Sequence, residues 1–342
     1  MTNTLEKNYN GIDLCKYLMA FFVVAIHTHP LDRVTNDFII TIYTTIVSFA
    51  VPFFFITTGF LLFIKMKGNY YDKDNILRIK KYIKKTVRLY LIWTIVYMPL
   101  TIYGYIVDGK SISYNILEFI RGLFFIGEHF YSWPLWYLLS IIVSLSIIYI
   151  FLKLNMSEKN IIIISIVVFF GANLMTYLTS ITGQLSGILL IIVKLFEGVF
   201  GTGRLFTGLA YISIGMYIAK RDIDVKKHLI ILMVFLGFAG NCLLPDVIKE
   251  FALLIAVSSL FLLALFTSLK DSKYFYNLRK TSSVMYFTHM IFFFLYSYIV
   301  RDIGYYGVDA FIATVLSTSL LAQIVIILER KSNMKWLKYL FG

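Results

Sequence analysis

Apolar runs of about twenty residues recur along the whole chain, and they leave few folds open to it. A helix of that length crosses the roughly 30 Å hydrocarbon core of a bilayer and satisfies its own backbone hydrogen bonds, which irregular chain in lipid does not. The first run, Ile12 to Thr28, retains Asp13 and Lys16 and has no small-residue cleavage site, so it is expected to stay as a membrane helix rather than be removed as a signal peptide. Hydrophobic residues fill 59% of the 342 positions and charged ones only 15%, with a mean hydropathy of +0.79, which excludes an ordinary soluble domain. The expected fold class is an all-α integral membrane bundle.

Ten spans are expected, at about 12–29, 38–64, 87–107, 134–152, 161–180, 204–219, 229–245, 248–268, 281–300 and 308–328. Short charged segments separate them, and no internal repeat or low-complexity linker is visible. Ten crossings return both termini to one side, and the positive-inside rule makes that side cytoplasmic. The inner loops are then 65–86, 153–160, 220–228, 269–280 and the tail from Glu329, where most Lys and Arg lie. Arg33, Lys110, Arg121, Lys249 and Arg301 are scattered outside. The net charge of +13 is thus an orientation signal rather than a nucleic-acid footprint. Segment 184–203 is apolar but carries Lys194 and Glu197 and ends in Gly-Thr-Gly; counting it would throw the basic loop Lys220–Lys227 outside. It is expected as an outer-face or re-entrant segment, forming with 108–133 the lid of an outward-facing pocket.

Several residues are candidates for chemistry. Lys16 and His27 lie eleven residues apart on one helical face, roughly 16 Å along the axis. Ionisable groups within a span mark a functional path by default, although a lysine and a histidine near opposite interfaces also simply snorkel. Arg78, Lys80, Lys81, Lys84, Lys85 and Arg88 cluster before the third span. They read either as attraction to anionic head groups or as a site for a phosphorylated carrier such as coenzyme A. Ser282, Tyr286 and His289 share a face, suited to interhelical hydrogen bonding or to a site. His129, beside Glu128, is either solvated or part of a substrate site, and His228 is expected to be solvated. Trp133 and Trp136 are interface aromatics by default. Cys15 and Cys242 offer neither a disulfide framework nor metal-ligand spacing, so no metal is expected.

Several of these residues also carry a resemblance. Ile12-Asp13, then Lys16 with ten residues before His27, followed by Val51-Pro52-Phe53-Phe54-Phe55-Ile56-Thr57-Thr58-Gly59-Phe60, is similar to membrane acyltransferase family 3. The resemblance extends to the basic inner loop, Trp133-Pro134-Leu135-Trp136-Tyr137, Arg204-Leu205-Phe206-Thr207-Gly208 with Gly215, and Tyr286-Phe287-Thr288-His289, and so covers nearly the whole chain. Within the family, Gly11-Ile12-Asp13, Val23-Val24-Ala25-Ile26-His27 with Pro30, Ala50-Val51-Pro52 and Gly201-Thr202-Gly203-Arg204 most resemble the membrane half of VanT-type membrane serine racemases of vancomycin-resistance clusters. The resemblance implies a multi-pass protein of the bacterial plasma membrane. It passes an acyl group from a cytoplasmic acyl-CoA, expected to be acetyl-CoA, to an acceptor hydroxyl at the outer face, with no covalently bound cofactor. His27 matches the family's functional histidine and, with Lys16, is the expected catalytic pair. Lys16 stands where the family has arginine, which keeps the charge and loses the bidentate fork. Donor binding is assigned to Arg78, Lys81, Lys85, Arg88, Tyr286 and His289, and acceptor binding to Glu128, His129, Trp136 and Arg204. The racemase resemblance implies instead a module that supplies L-serine to a fused or partner racemase domain. Residues 1–342 are expected as a single membrane domain without that cytoplasmic domain.

Overall fold

A computed structural model describes residues 9–270, 273–300 and 306–341, so Arg301 and two residues of the expected loop 269–280 lie outside the described residues. Among the described residues the secondary structure is all helical. Eight helical segments are long and apolar enough to cross a membrane: Asn10–Thr28, Asp37–Phe63, Lys73–Asp108, Trp133–Lys153, Glu158–Ser180, Ile248–Phe266, Tyr274–Ile299 and Val308–Leu328. The remaining two expected spans form shorter apolar helices, Arg204–Ala219 and Lys227–Leu243. The helices are α1 (Asn10–Thr28), α2 (Asp37–Ser48), α3 (Ala50–Phe63), α4 (Lys73–Asp108), α5 (Ile112–Arg121), α6 (Trp136–Lys153), α7 (Glu158–Ser180), α8 (Gly187–Phe200), α9 (Arg204–Ala219), α10 (Lys227–Leu243), α11 (Asp246–Phe266), α12 (Lys273–Ile299), α13 (Val308–Leu328) and α14 (Lys338–Phe341).

Local chemistry explains where these helices start and break. Asn36 caps α2, its side-chain oxygen accepting from the Ile39 amide. The second expected span is two helices, because Pro52 has no N–H to offer the Ser48 carbonyl and the helix restarts after Phe49. The expected loop 65–86 is the largest departure from the sequence reading. Helix begins at Lys73 and continues for 36 residues, about 54 Å, so most of the basic cluster sits on the first half of α4. Asn75 fixes the turn before it, donating through Nδ2 to the carbonyls of Lys67 and Asn69 at 2.7 Å each. Ile79, Thr86, Leu89, Tyr90, Trp93 and Tyr97 recur at helical spacing and are buried, which extends one packed stripe through the charged segment. Segment 184–203 contains α8, whose 14 residues rise about 21 Å, short of the hydrocarbon thickness.

The chain divides into two compact units. The first contains the chain up to Phe54, Asp224–Cys242 and everything from Ala252 onward. In it α12 packs against both α1 and α13. Ala20, Val24 and Met285 form a core there, with Tyr17, Phe21, Phe54, Phe311 and Val315 around them. Close backbone approach needs Gly11, where a Cβ would stand 2.2 Å from the Ala264 carbonyl oxygen of α11. The second unit contains Phe55–Ile223 and Leu243–Phe251, with α6 packed on α4 and α9, and α7 on α9. Here α3 and α9 cross on glycines: a Cβ at Gly59 would lie 2.2 Å from Ile212 O, and one at Gly215 2.2 Å from Ile56 O. Small residues that let backbones touch are the usual glue of membrane helix pairs.

Candidate functional site

The two ionisable ends of α1 are both engaged by α12. Near the start of α1, Asp13 accepts from Arg279: Nε lies 3.0 and 3.1 Å from the two carboxylate oxygens and Nη2 lies 2.6 Å from Oδ2. Near its end, the His27 and His289 rings approach to 5.2 Å between centroids, with planes 32° apart. Both contacts run in the same chain direction, so α1 and α12 lie parallel. Asp13 and His27 are fourteen residues apart on one helix, Arg279 and His289 ten on the other, about 21 and 15 Å. The contacts therefore mark opposite ends of one helix pair.

The ionic end is more elaborate than its sequence suggests. Asp13 has a side chain only 5% exposed, whereas that of Arg279 is 45% exposed. Asn10 ties the same turn to the segment after α11 by donating to Leu269 O at 3.1 Å. Lys16, half-buried one turn later, sits in the electrostatic field of both Asp13 and Arg279. The next residue of α12, Lys280, makes a second ion pair with Glu329 beyond α13 at 2.6 Å, with side chains 9% and 5% exposed. Successive cations of α12 are thus matched to carboxylates from α1 and from the end of α13. Arg279, Lys280 and Glu329 were not singled out as site residues from the sequence. Their partners are remote in the chain, 266 residues for Asp13 and Arg279, so no local spacing signals them.

At the other end His289 is fully buried, and its Nδ1 lies 2.9 Å from Met285 O one turn earlier. Tyr286, half-buried, lies edge-on to Phe287. Tyr43 of α2 donates to Ala25 O at 2.9 Å, and the amide of Gly307 donates to Thr28 O at 3.0 Å, which fixes the end of α1 against its neighbours. His29 adopts a left-handed conformation with φ 43° and places its ring against Tyr306, 4.8 Å between centroids.

The other predicted residues belong to the second unit. Arg78, Lys81, Lys85 and Arg88 are exposed along one side of α4, at spacings of three and four residues. Arg78 also lines a surface pocket of about 480 Å³ with Lys65, Lys67, Asp72, Asp74 and Asn75. Glu128 lies 3.6 Å from Arg204 Nη1, and the Arg204 guanidinium sits 5.8 Å from the Trp136 ring. Burial raises the Glu128 carboxyl above its ordinary range and Arg204 opposes that. His129, by contrast, turns to Phe119 and stacks on it at 4.5 Å, with both ring nitrogens buried and unpartnered. Burial lowers its pKa to about 4. The structure therefore groups Glu128, Arg204 and Trp136 and gives His129 a packing environment. A π-helical turn, Gly122–Ile126, leads into this segment, and Arg121 donates to the Glu197 and Val199 carbonyls that end α8. Such turns recur at functional sites. No group of residues able to hold a metal ion is present among the described residues.

This arrangement is that of a polytopic membrane protein with polar groups at both ends of a buried helix pair, and sequence comparison identifies the class. The chain belongs to the acyltransferase domain family, whose profile matches residues 9–329. Among curated proteins it is similar to an amino-acid racemase of Enterococcus faecalis, 34% identical over 130 residues, which is 38% of this chain and 18% of the relative. A second amino-acid racemase of that species is 31% identical over 170 residues, 49% of this chain and 22% of the relative. A serine/alanine racemase of Enterococcus gallinarum is 37% identical over 95 residues, 28% and 13% of the two chains. The chain thus covers about a fifth or less of the length of these relatives. No solved structure matches it.

Proposed function

We propose that this chain is a bacterial plasma-membrane acyltransferase that uses His27 as general base. It crosses ten times with both termini cytoplasmic, takes its acyl group from an acyl-CoA-type donor inside and passes it to an acceptor hydroxyl outside. The observation that carries this reading is family membership over nearly the whole chain together with an imidazole at one end of α1 and a cation, Lys16, at the other. Parallel α1 and α12 constrain the count. With the other long helices crossing, either both short helices α9 and α10 cross or neither does, and ten follows if both do. The acceptor hydroxyl gives its proton to His27 while its oxygen attacks the thioester carbonyl; the carbon–sulfur bond breaks and the departing thiolate takes up that proton from the imidazolium, which leaves free thiol and restores neutral His27. A positioned base of this kind contributes about 10²–10⁴-fold. Arg78, Lys81, Lys85 and Arg88 are suited to donor phosphates and Lys16 to the donor's path, while Glu128, Arg204 and Trp136 are suited to the acceptor.

A second reading is favoured by the relatives, which are amino-acid and serine/alanine racemases. In it the chain supplies L-serine to a fused or partner racemase domain in vancomycin resistance, and the Glu128–Arg204 pair meets the two charges of a zwitterion. Purified protein separates them. Acyl transfer predicts thiol release from acetyl-CoA with an acceptor present, abolished by His27→Ala and kept or improved by Lys16→Arg, which regains the fork geometry. Accumulation of L-serine in proteoliposomes, with neither binding nor turnover of acyl-CoA, would replace the first reading by the second.

A further inference from the structure

We propose that His289 is the proton partner of His27: its Nε2 accepts the hydrogen that the His27 ring carries when that ring acts as a base. The inference deepens the acyl-transfer reading, on which its catalytic consequence rests, but the pairing itself is tested separately below. A carbonyl oxygen only accepts, so the 2.9 Å contact from His289 Nδ1 to Met285 O puts a hydrogen on Nδ1. In the neutral ring the lone pair is then on Nε2. That atom is buried and has no hydrogen-bond partner among the described residues. An orphaned buried acceptor is costly, so a packing residue would gain by being phenylalanine or leucine here.

What faces the orphaned side of the pair decides its use. The His27 ring is 5.2 Å away between centroids, a separation that one hydrogen bond or one bridging water spans. The other titratable groups at this end of the unit come from each neighbouring element and are already engaged. Tyr43 of α2 donates to Ala25 O, His29 at the end of α1 faces Tyr306, and Asp309 of α13 accepts from Tyr296 of α12 at 2.8 Å. The ionic pairs of Arg279 and Lys280 lie at the opposite end of α12. His289 Nε2 is therefore a basic atom at hand for His27. When His27 takes a proton from an acceptor hydroxyl, the imidazolium would stand in an apolar helix pair. Donating its second N–H to Nε2 spreads that charge over two rings and fixes which nitrogen of His27 faces the substrate. The Nδ1–H bond to Met285 O holds His289 in the tautomer this requires. His289 is thus a positioning residue acting through His27, rather than the donor-binding residue that the family resemblance implied.

The test uses the full chain in lipid nanodiscs with His289→Phe, which keeps a ring and removes the acceptor, and His289→Gln, which keeps an acceptor near the Nε2 position. The first readout needs no turnover: carbethoxylation of His27 by diethyl pyrocarbonate, followed by mass spectrometry from pH 5 to 8. His289→Phe is expected to change the His27 rate several-fold and move its pH midpoint, with His289→Gln partly restoring both; an unchanged His27 profile in His289→Phe overturns the pairing. The second readout is steady-state transfer, with kcat expected to fall about 10–100-fold at unchanged donor KM, as for other residues that orient a reactive ligand through one hydrogen bond. A raised donor KM at intact kcat returns His289 to donor binding and overturns the proposal. Absence of transfer by the wild type would sink the acyl-transfer reading while the carbethoxylation profile still decides the pair. If His289→Phe fails to fold, nitrogen-15 spectra of histidine-labelled wild type decide: an N–H on His289 Nδ1 and a bare Nε2 coupled to His27 support it, and a protonated Nε2 overturns it.

Discussion

The Asp13–Arg279 pair predicts an asymmetry that its geometry sets. Arg279→Ala leaves a carboxylate that is 5% exposed without its two-nitrogen clamp, whereas Asp13→Ala leaves a guanidinium that is 45% exposed and half solvated. Breaking a buried pair costs about 3–5 kcal/mol when the survivor stays buried. Lys16 is close enough to take up part of the stranded charge, so the expected cost of Arg279→Ala is about 2–3 kcal/mol. Asp13→Ala forfeits charge-assisted hydrogen bonds worth about 1.5–3 kcal/mol, reduced to about 1 kcal/mol because the surviving guanidinium is half solvated. The double variant should match Asp13→Ala rather than add to Arg279→Ala, since with the carboxylate gone there is nothing left to strand. Reversible unfolding of the four proteins in mixed micelles, followed by tryptophan fluorescence, measures this. Equal losses for the two single variants, or a larger loss for Asp13→Ala, would refute the assignment of Asp13 as the buried partner.

Two further outcomes follow from the second unit. His129 is held neutral to about pH 4 by burial while its unfolded form protonates near 6.5, so the unfolded state binds the extra proton between those values and stability falls as pH drops through that window, by at most about 3 kcal/mol. His129→Phe, which keeps the stack on Phe119, should flatten that slope, and an unchanged slope would be evidence against it. Gly215→Ala should destabilise by about 1–3 kcal/mol because its Cβ would meet the backbone of α3, whereas Gly171→Ala, with open space around it, should be neutral or stabilising; equal effects would contradict the close crossing of α3 and α9.

Much of the membrane architecture was legible because lipid imposes a length on every crossing helix. The apolar runs predicted the eight long segments, and the interrupted character of 184–203 anticipated a helix too short to cross. The basic segment was read as an inner loop because its charges were taken as an orientation signal at the head groups, and the helix starts within it at Lys73. The signal that would have corrected it was present in Ile79, Thr86, Leu89 and Trp93, whose spacing continues the stripe of the span beyond. Pro52 likewise carried an unused signal for the break at Phe49 inside the expected span 38–64. The geometry of the candidate site was legible on α1, where Asp13, Lys16 and His27 share a helix and their axial separation follows from residue count, and the grouping of Glu128, Trp136 and Arg204 was anticipated. The α1 partners Arg279 and His289 were not, because contacts between helices so distant in sequence depend on packing that no local periodicity records. His289 drew notice through its polar stripe, yet the stripe could not say that the histidine's neighbour is His27. His129, beside a glutamate in a charged segment, gave no sign in the sequence that its ring stacks on Phe119 and is buried.

Vectorial transfer tests the central claim most directly. Protein reconstituted in one orientation into sealed liposomes receives radiolabelled acetyl-CoA only on the side of the basic half of α4, with a hydroxyl-bearing envelope precursor trapped only on the other. The account predicts that label accumulates on the trapped acceptor, that free thiol appears on the donor side, and that His27→Ala abolishes both while leaving the protein folded. Label remaining wholly on the donor side in sealed vesicles of the wild type, with L-serine crossing instead, would contradict it.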